Sequence, residues 1–175
     1  MSDFLLSISL GPVQDFIAAA RRTRDLWFGS HVLSEMSKAA AKEVSGKGAQ
    51  LIFPSPSDMS KLEPGSDFTA PNKILALVPE GLDPRVIADQ ARKAAEKRWD
   101  GFAERALENS GKIPIDRSIW DDQIHDLIEF YSAWVPWTGP SGYCQARERL
   151  ELIMAGRKAL RDFAPAKGRI GVRKS

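Results

Sequence analysis

Cysteine is nearly absent from this chain: Cys144 is the single one in 175 residues. An intrachain disulfide is therefore impossible, and a cysteine-based zinc site has no framework. Histidine is almost as scarce, with only His31 and His125, so a dedicated metal cage is not expected. No apolar run approaches the roughly 20 residues that a membrane-spanning helix needs. The opening stretch MSDFLLSISLGPVQ has no basic residues ahead of its apolar run, which Ser7 and Ser9 interrupt, so it does not read as a secretory signal. Charge of one sign is lacking too. The 25 Lys and Arg against 23 Asp and Glu leave a net charge of +2, too little for a global field that draws nucleic acid or membrane. Such a partner would need a local basic patch. These absences point to the cytoplasm and away from secreted, membrane and metal-caged classes.

What is present is ordinary for a globular protein, at 43% hydrophobic and 27% charged residues. The length suits one domain with a real core. Phe4, Leu6, Ile8 and Leu10 alternate with Leu5, Ser7 and Ser9, the period of a strand. Gly11-Pro12 stops it, and the proline pre-sets the backbone for a helix start with Asp15 in the first turn. Val13, Phe16, Ile17 and Ala20 follow at helical spacing. Gly29-Ser30 interrupts the pattern before Val32, Leu33, Met36 and Ala40 resume it, so two helices or one bent helix are expected, ending near Gly46 and Gly48. Gln50 to Phe53 and Lys73 to Val78 read as short strands joined by a long Ser/Pro/Asp/Gly loop.

Asp83 and Pro84 mark the next helix start as N-cap and first-turn proline. Its apolar stripe is Ile87, Ala91, Ala95, Trp99, Phe102 and Ala106, and Asn109-Ser110-Gly111 ends it. A short helix over Ile119 to His125, an aromatic strand over Leu127 to Trp137 and a final helix carrying Tyr143, Ala146, Leu150, Ile153 and Leu160 complete the order. There is no internal repeat. The order β, α, β, β, α, β plus an extra helix predicts an α+β fold of the ferredoxin-like (βαββαβ) plan, an antiparallel sheet with two helices on one face. The other face of such a sheet is expected to be open to a partner domain.

Several constellations bear on chemistry. The turn Gly11-Pro12-Val13-Gln14 sets a helix start at a strand end, where free N–H groups favour an anion. With one glycine it is neither a Walker loop nor a dinucleotide fingerprint, and on the residues alone a plain strand-to-helix turn is the better account. Arg21, Arg22 and Arg24 beside Trp27 would suit phosphates with a stacking surface. The plainer account is a solvated helix face with Trp27 in the core. His125-Asp126 lacks the further ligands that a metal-dependent phosphohydrolase needs. Asp121 and Asp122 are neighbours in a helix, about 100° apart, and read as surface acid. Palm-type polymerases and cyclases hold metals with acids on the first strand and the next hairpin. Here that strand carries Ser7 and Ser9, and Asp58 and Asp67 lie in the long loop, so no metal site is expected.

One stretch is more specific. SISLGPVQDFIAAARRTRDLWFGSHVLSEM resembles the N-terminal motif of the large subunit of type III-B (Cmr) CRISPR effector complexes: G-P-V-Q-x-F-I over Gly11 to Ile17, A-R-[KR]-T-R-D-L-W-x-G-S over Ala20 to Ser30, and L-S at Leu33-Ser34. PNKILALVP, FYSAWVPW and ARERLELIMAGRKALRDF are similar to the same family, more weakly. The resemblance implies a first palm domain over residues 1–163, with 164–175 as a basic connector that relatives continue through. It implies a palm that pairs with a second palm around a composite ATP site for cyclic oligoadenylate synthesis. Mg or Mn would be supplied by that second palm's Gly-Gly-Asp-Asp hairpin and none bound by this chain. No HD nuclease is expected ahead of this strand. Gly11, Pro12, Val13, Gln14, Ser30 and Ser34 would line the nucleotide pocket, with no catalytic residue of its own. Arg21, Arg22 and Arg24 would hold RNA or a neighbouring subunit. Implied partners are the second palm, other Cmr subunits and, through the complex, guide and target RNA, or a homodimer if the palm stands alone. A scaffold and nucleotide-binding module, a self-contained dimerising cyclase or oligonucleotide polymerase, and an inactive remnant remain the competing readings.

Overall fold

Strand β1, Phe4–Gly11, runs through the middle of the protein, and its residues from Leu5 onward are buried. In a computed structural model, which describes residues 3–13, 18, 20–111 and 113–160, it lies in a four-stranded sheet of order β2-β3-β1-β4. The others are β2, Gln50–Phe53, β3, Lys73–Val78, and β4, Glu129–Pro136. Every pairing is antiparallel, and β1 is flanked by β3 (Ile8 opposite Ile74) and β4 (Ile8 opposite Ser132). This is the expected ferredoxin-like plan.

Helices α1, Thr23–Gly46, and α2, Pro84–Asn109, pack on each other and on one sheet face. Alternation along β1 sends Leu6, Ile8 and Leu10 to that side, where they meet Val32, Met36 and Ala40 of α1 and Ile87, Ala91 and Ala95 of α2. The expected break at Gly29-Ser30 does not occur, because α1 runs unbroken through both residues. The stripe on α2 holds through Phe102, which packs half-buried against the core, and fails only at Ala106. Ala103 is buried in place of Ala106, since four-residue steps from Ile87 keep to one face. As expected, Asp83 caps α2, accepting a bond from the Arg85 amide at 2.8 Å. Helix α3, Arg117–Leu127, starts on Asp116 and is fastened by Trp99, whose indole donates to the Ile124 carbonyl at 2.9 Å.

The second sheet face is not left open. Helix α4, Tyr143–Ala159, lays Ala146, Leu150 and Met154 over Leu5, Leu75, Ala133 and Val135. Leu160, expected in its stripe, is exposed. Ser7 and Ser9 face this covered side and are buried. Among the described residues no helix is long and apolar enough to cross a membrane. The connector expected at 164–175 lies outside the described residues.

A charged cluster is built into the helical layer. Glu35 and Lys38 are both buried in α1 and paired with each other, and Arg98 of α2 reaches the same carboxylate. Gly65 donates its amide to Glu35 at 3.1 Å, and Lys38 donates to Ser66 Oγ and O at 3.0 and 3.2 Å. The cluster therefore ties the 54–72 connection and α2 to one turn of α1. Burial alone pushes the Glu35 carboxyl upward. The bonds from Lys38, Arg98 and Gly65, with the Lys38 charge, outweigh it and hold the group below its ordinary 4.5.

Because the folded-state value is depressed, this contribution to stability is full above about pH 4.5 and is lost as pH falls through the lower folded-state value. Glu35→Gln leaves Lys38 buried without its counter-charge and should cost about 3–5 kcal/mol. Urea unfolding as a function of pH checks both statements: the variant's stability should fall less steeply in acid than the wild type's.

Candidate functional site

The end of β1 and the first half of α1 enclose a hollow of about 380 Å³. Its apolar walls are Val13, Leu26, Leu33, Ala70 and Pro71, and its polar groups are Ser30, Ser34, Thr69 and Asn72. Two hydrogen-bonded joints set its shape. Ser34 Oγ, buried, accepts the Ala70 amide at 2.9 Å and so holds the 69–72 segment against α1. Asn72 clamps the strand end from the other side. Its carbonyl accepts the Leu10 amide at 2.9 Å, and its Nδ2 donates to the Leu10 carbonyl at 3.1 Å.

A second hollow of about 400 Å³ shares Val13 and Asn72 and opens toward the α4 side. Ser9, Gly11, Glu129, Tyr131 and Lys158 border it, so it carries one carboxylate and one ammonium. Gly11 sits opposite Glu129 in the β1–β4 register. A Cβ there would lie 2.9 Å from Glu129 Oε2 and 3.3 Å from its Cβ, a close approach that glycine permits. The Gly11–Pro12 peptide is cis.

Of the residues singled out in the sequence, Val13, Ser30 and Ser34 meet at the first hollow, and Gly11 borders the second. Pro12 lies between them in the chain, and Gln14 and the helix start at Asp15 to Ile17 lie outside the described residues. Arg21, Arg22 and Arg24 are exposed. Trp27 is not in the core, contrary to the plainer expectation: it is 75% exposed, because its turn of α1 runs clear of the sheet. Sequence reading missed Leu26, Thr69, Asn72 and the Glu35 cluster. Asn72 falls in the PNKILALVP stretch, but nothing in its sequence context distinguishes a clamp from a loop residue.

The acids are otherwise engaged. Asp58 caps the short helical turn Met59–Leu62, accepting from the Ser60 amide at 2.7 Å, and Asp67 pairs with Lys61 at 2.6 Å. Hydrogen bonds from Ser60 and from Lys61 hold the two carboxyls below their usual range. Asp121 pairs with Arg117 at 3.0 Å. Among the described residues no three His, Cys, Asp or Glu converge as a metal would require. What the hollow offers chemically is a slot of mainly apolar lining edged by hydroxyl and amide groups.

The family described as CRISPR-associated protein Cmr2, N-terminal, matches residues 5–104. The chain belongs to this family. It is 28% identical over 158 aligned positions to the CRISPR system Cmr subunit Cmr2 of Pyrococcus furiosus, covering 78% of this chain and 18% of that protein. Among solved structures it is similar in fold to a chain of an apo Csm1-Csm4 cassette, at a TM-score of 0.52 and 16% identity over 90% of this chain. The chain spans about 18% of the length of each of these relatives. The Cmr2 N-terminal match, over residues 5–104, takes in every residue that lines the first hollow.

Ser34→Ala would strip the buried Ala70 amide of its acceptor, at a cost of about 1–3 kcal/mol. The Ala70 amide should then lose hydrogen-exchange protection by more than the amides of β1 do, since the joint is local.

Proposed function

We propose that this chain is the first palm of a type III CRISPR RNA-guided effector large subunit, supplying one wall of a composite ATP site and a scaffold for complex assembly. The observation that carries this reading is the meeting of Val13, Ser30 and Ser34, three positions of the family motif, around a single hollow. Its size and lining fit a purine: apolar side chains for the ring faces and Ser30, Thr69 and Asn72 for its polar edge. The adjoining hollow, with Lys158 at its border, is the nearest room for phosphates.

The chain's own role is to bind and orient. Leu26 and Leu33 exclude water from one ring face, and the Ser34–Ala70 joint keeps the slot from collapsing. Where catalytic palms carry acids on the first strand, Ser7 and Ser9 are buried hydroxyls beneath α4. The donor set offers Mg or Mn no resident site, so the ions, which lower the charge on the triphosphate and activate the attacking hydroxyl, are assigned to the second palm. Cyclic oligoadenylate synthesis is then an activity of the paired palms. The palm would occupy residues 1–163. The names of the relatives, a Cmr subunit and a Csm1-Csm4 cassette, support other complex subunits as its neighbours.

Titration of the labelled chain with millimolar ATP, followed by amide NMR, tests the reading. Ser30, Ser34 and Asn72 should shift, and Ser30→Trp, which fills the slot from its exposed rim, should abolish the shifts without unfolding the protein. Shifts confined to another surface, or none, would overturn the nucleotide wall. Oligoadenylate made by this chain alone with Mg²⁺ or Mn²⁺ would overturn its non-catalytic role.

A further inference from the structure

The first two turns of α1 carry a second surface, on the side away from the nucleotide slot. Trp27 is 75% exposed and Phe28 56%. Trp27 and His31, one helical turn apart, lie in nearly parallel planes, 4° apart with ring centroids at 6.4 Å. Phe102 of α2 closes the group, edge-on to both Phe28 (6.2 Å) and His31 (5.9 Å). Arg98 and Arg105 both lie over the half-buried Phe102 ring, each guanidinium carbon 4.8 Å from the centroid, and Arg24 borders the hollow beside Trp27.

So many exposed rings on one surface helix are a liability unless something covers them, and the charges around them say what. The run from Arg21 to Asp25 has three arginines and one carboxylate. That carboxylate accepts the Arg21 and Arg22 amides at 3.3 and 3.0 Å and lies 3.7 Å from Arg24 Nε, at the border of the hollow. On α2, Asp100 and Glu104 are each displaced by about 200° from Phe102 around the helix and point away from the rings. The surface thus combines π faces with an excess of cations: Asp25 offsets one of the three arginines at the start of α1, and Arg105 adds another from α2.

We infer that the Trp27–His31 surface, with Arg24 and Arg105 beside it, binds single-stranded nucleic acid, its bases stacking on these two rings and its phosphates on the guanidiniums. Parallel planes on successive helical turns suit a stack of bases, and cations at the edges suit a backbone that follows it. Ring faces and guanidiniums read π surfaces and phosphates, which RNA and DNA share, so the two should bind within about threefold of each other. This inference does not rest on the nucleotide slot, whose lining contains Leu26 and Ser30 but none of these rings.

Fluorescence anisotropy of labelled single-stranded RNA and DNA 12-mers, titrated with the full chain, tests it. Affinity should fall steeply between about 50 and 200 mM salt. Trp27→Ala should weaken binding roughly tenfold, and Trp27→Phe should restore it to within about threefold. Arg24→Ala and Arg105→Ala should each flatten the salt dependence by about 0.7 in slope. Ser30→Trp should bind oligonucleotide as the wild type does, which separates this surface from the slot. No binding at low salt, or unchanged affinity in Trp27→Ala, overturns the inference. So does self-association of the chain that sedimentation shows to depend on Trp27, which would make the surface a protein interface. A preference for RNA over DNA beyond tenfold would overturn the claim that only rings and guanidiniums are at work.

Discussion

The pairing of Glu35 with Lys38 and Arg98 is the constraint on which the rest of the site depends. A buried ion cluster is a poor source of net stability, because desolvation offsets most of the attraction. What it fixes is position. Glu35 accepts from an amide of the 54–72 connection and from a side chain of α2, while Lys38 donates twice to Ser66. A long connection with little secondary structure is thereby held against one turn of α1, and the same segment continues into Thr69 to Asn72, the far wall of the slot. An apolar patch at Glu35 would bury comparable surface but would let the connection slide, since apolar contact is not directional. Hydrogen-bonded charges do not slide.

Much of the fold was legible because its elements obey simple periods. The two-residue alternation of β1, the capped start of α2 at Asp83-Pro84 and the turn after Asn109 all leave local marks, and the sheet order follows from the sequence of elements. Two failures have a common cause. Gly29-Ser30 reads as a break by propensity, yet α1 passes through it, because packing below Ser30 fixes the helix. Trp27 reads as core by hydrophobicity, yet it stays 75% exposed, with His31 of its own helix as its ring neighbour rather than the sheet. Local preference does not record how far a helix overshoots the layer that supports it.

The candidate site was legible in a different way. Val13, Ser30 and Ser34 came from a motif, and the fold brings them together, whereas Thr69 and Asn72 come from a connection whose path is set by tertiary joints, the Glu35 cluster at 65–66 and the Ser34–Ala70 and Asn72–Leu10 bonds beyond it. Asn72 could not have been chosen from its neighbours in sequence: its role exists only where Leu10 presents both a free amide and a free carbonyl at the strand end. The burial of β1 on both faces was hidden for a similar reason. Ser7 and Ser9 look like the solvent side of a half-exposed strand, and only the return of α4 shows that they lie beneath Leu150 and Met154.

Helix α1 thus serves two surfaces with one backbone, Leu26, Ser30, Leu33 and Ser34 toward the slot and Trp27, Phe28 and His31 away from it. The division has an electrostatic logic under the reading proposed for the slot. A triphosphate shared between two walls tolerates carboxylates on one of them only when metal ions lie between; carboxylates on both would repel it. A wall that supplies rings' worth of apolar surface, hydroxyls and an amide adds affinity without adding charge, and leaves the ions to be placed by its partner. Among the described residues that line the slot there is no carboxylate, and Glu129 borders the neighbouring hollow together with Lys158. Ser7 on β1 then need not be read as decay of a catalytic strand, because a carboxylate buried there on the α4 side would cost more than the hydroxyl does.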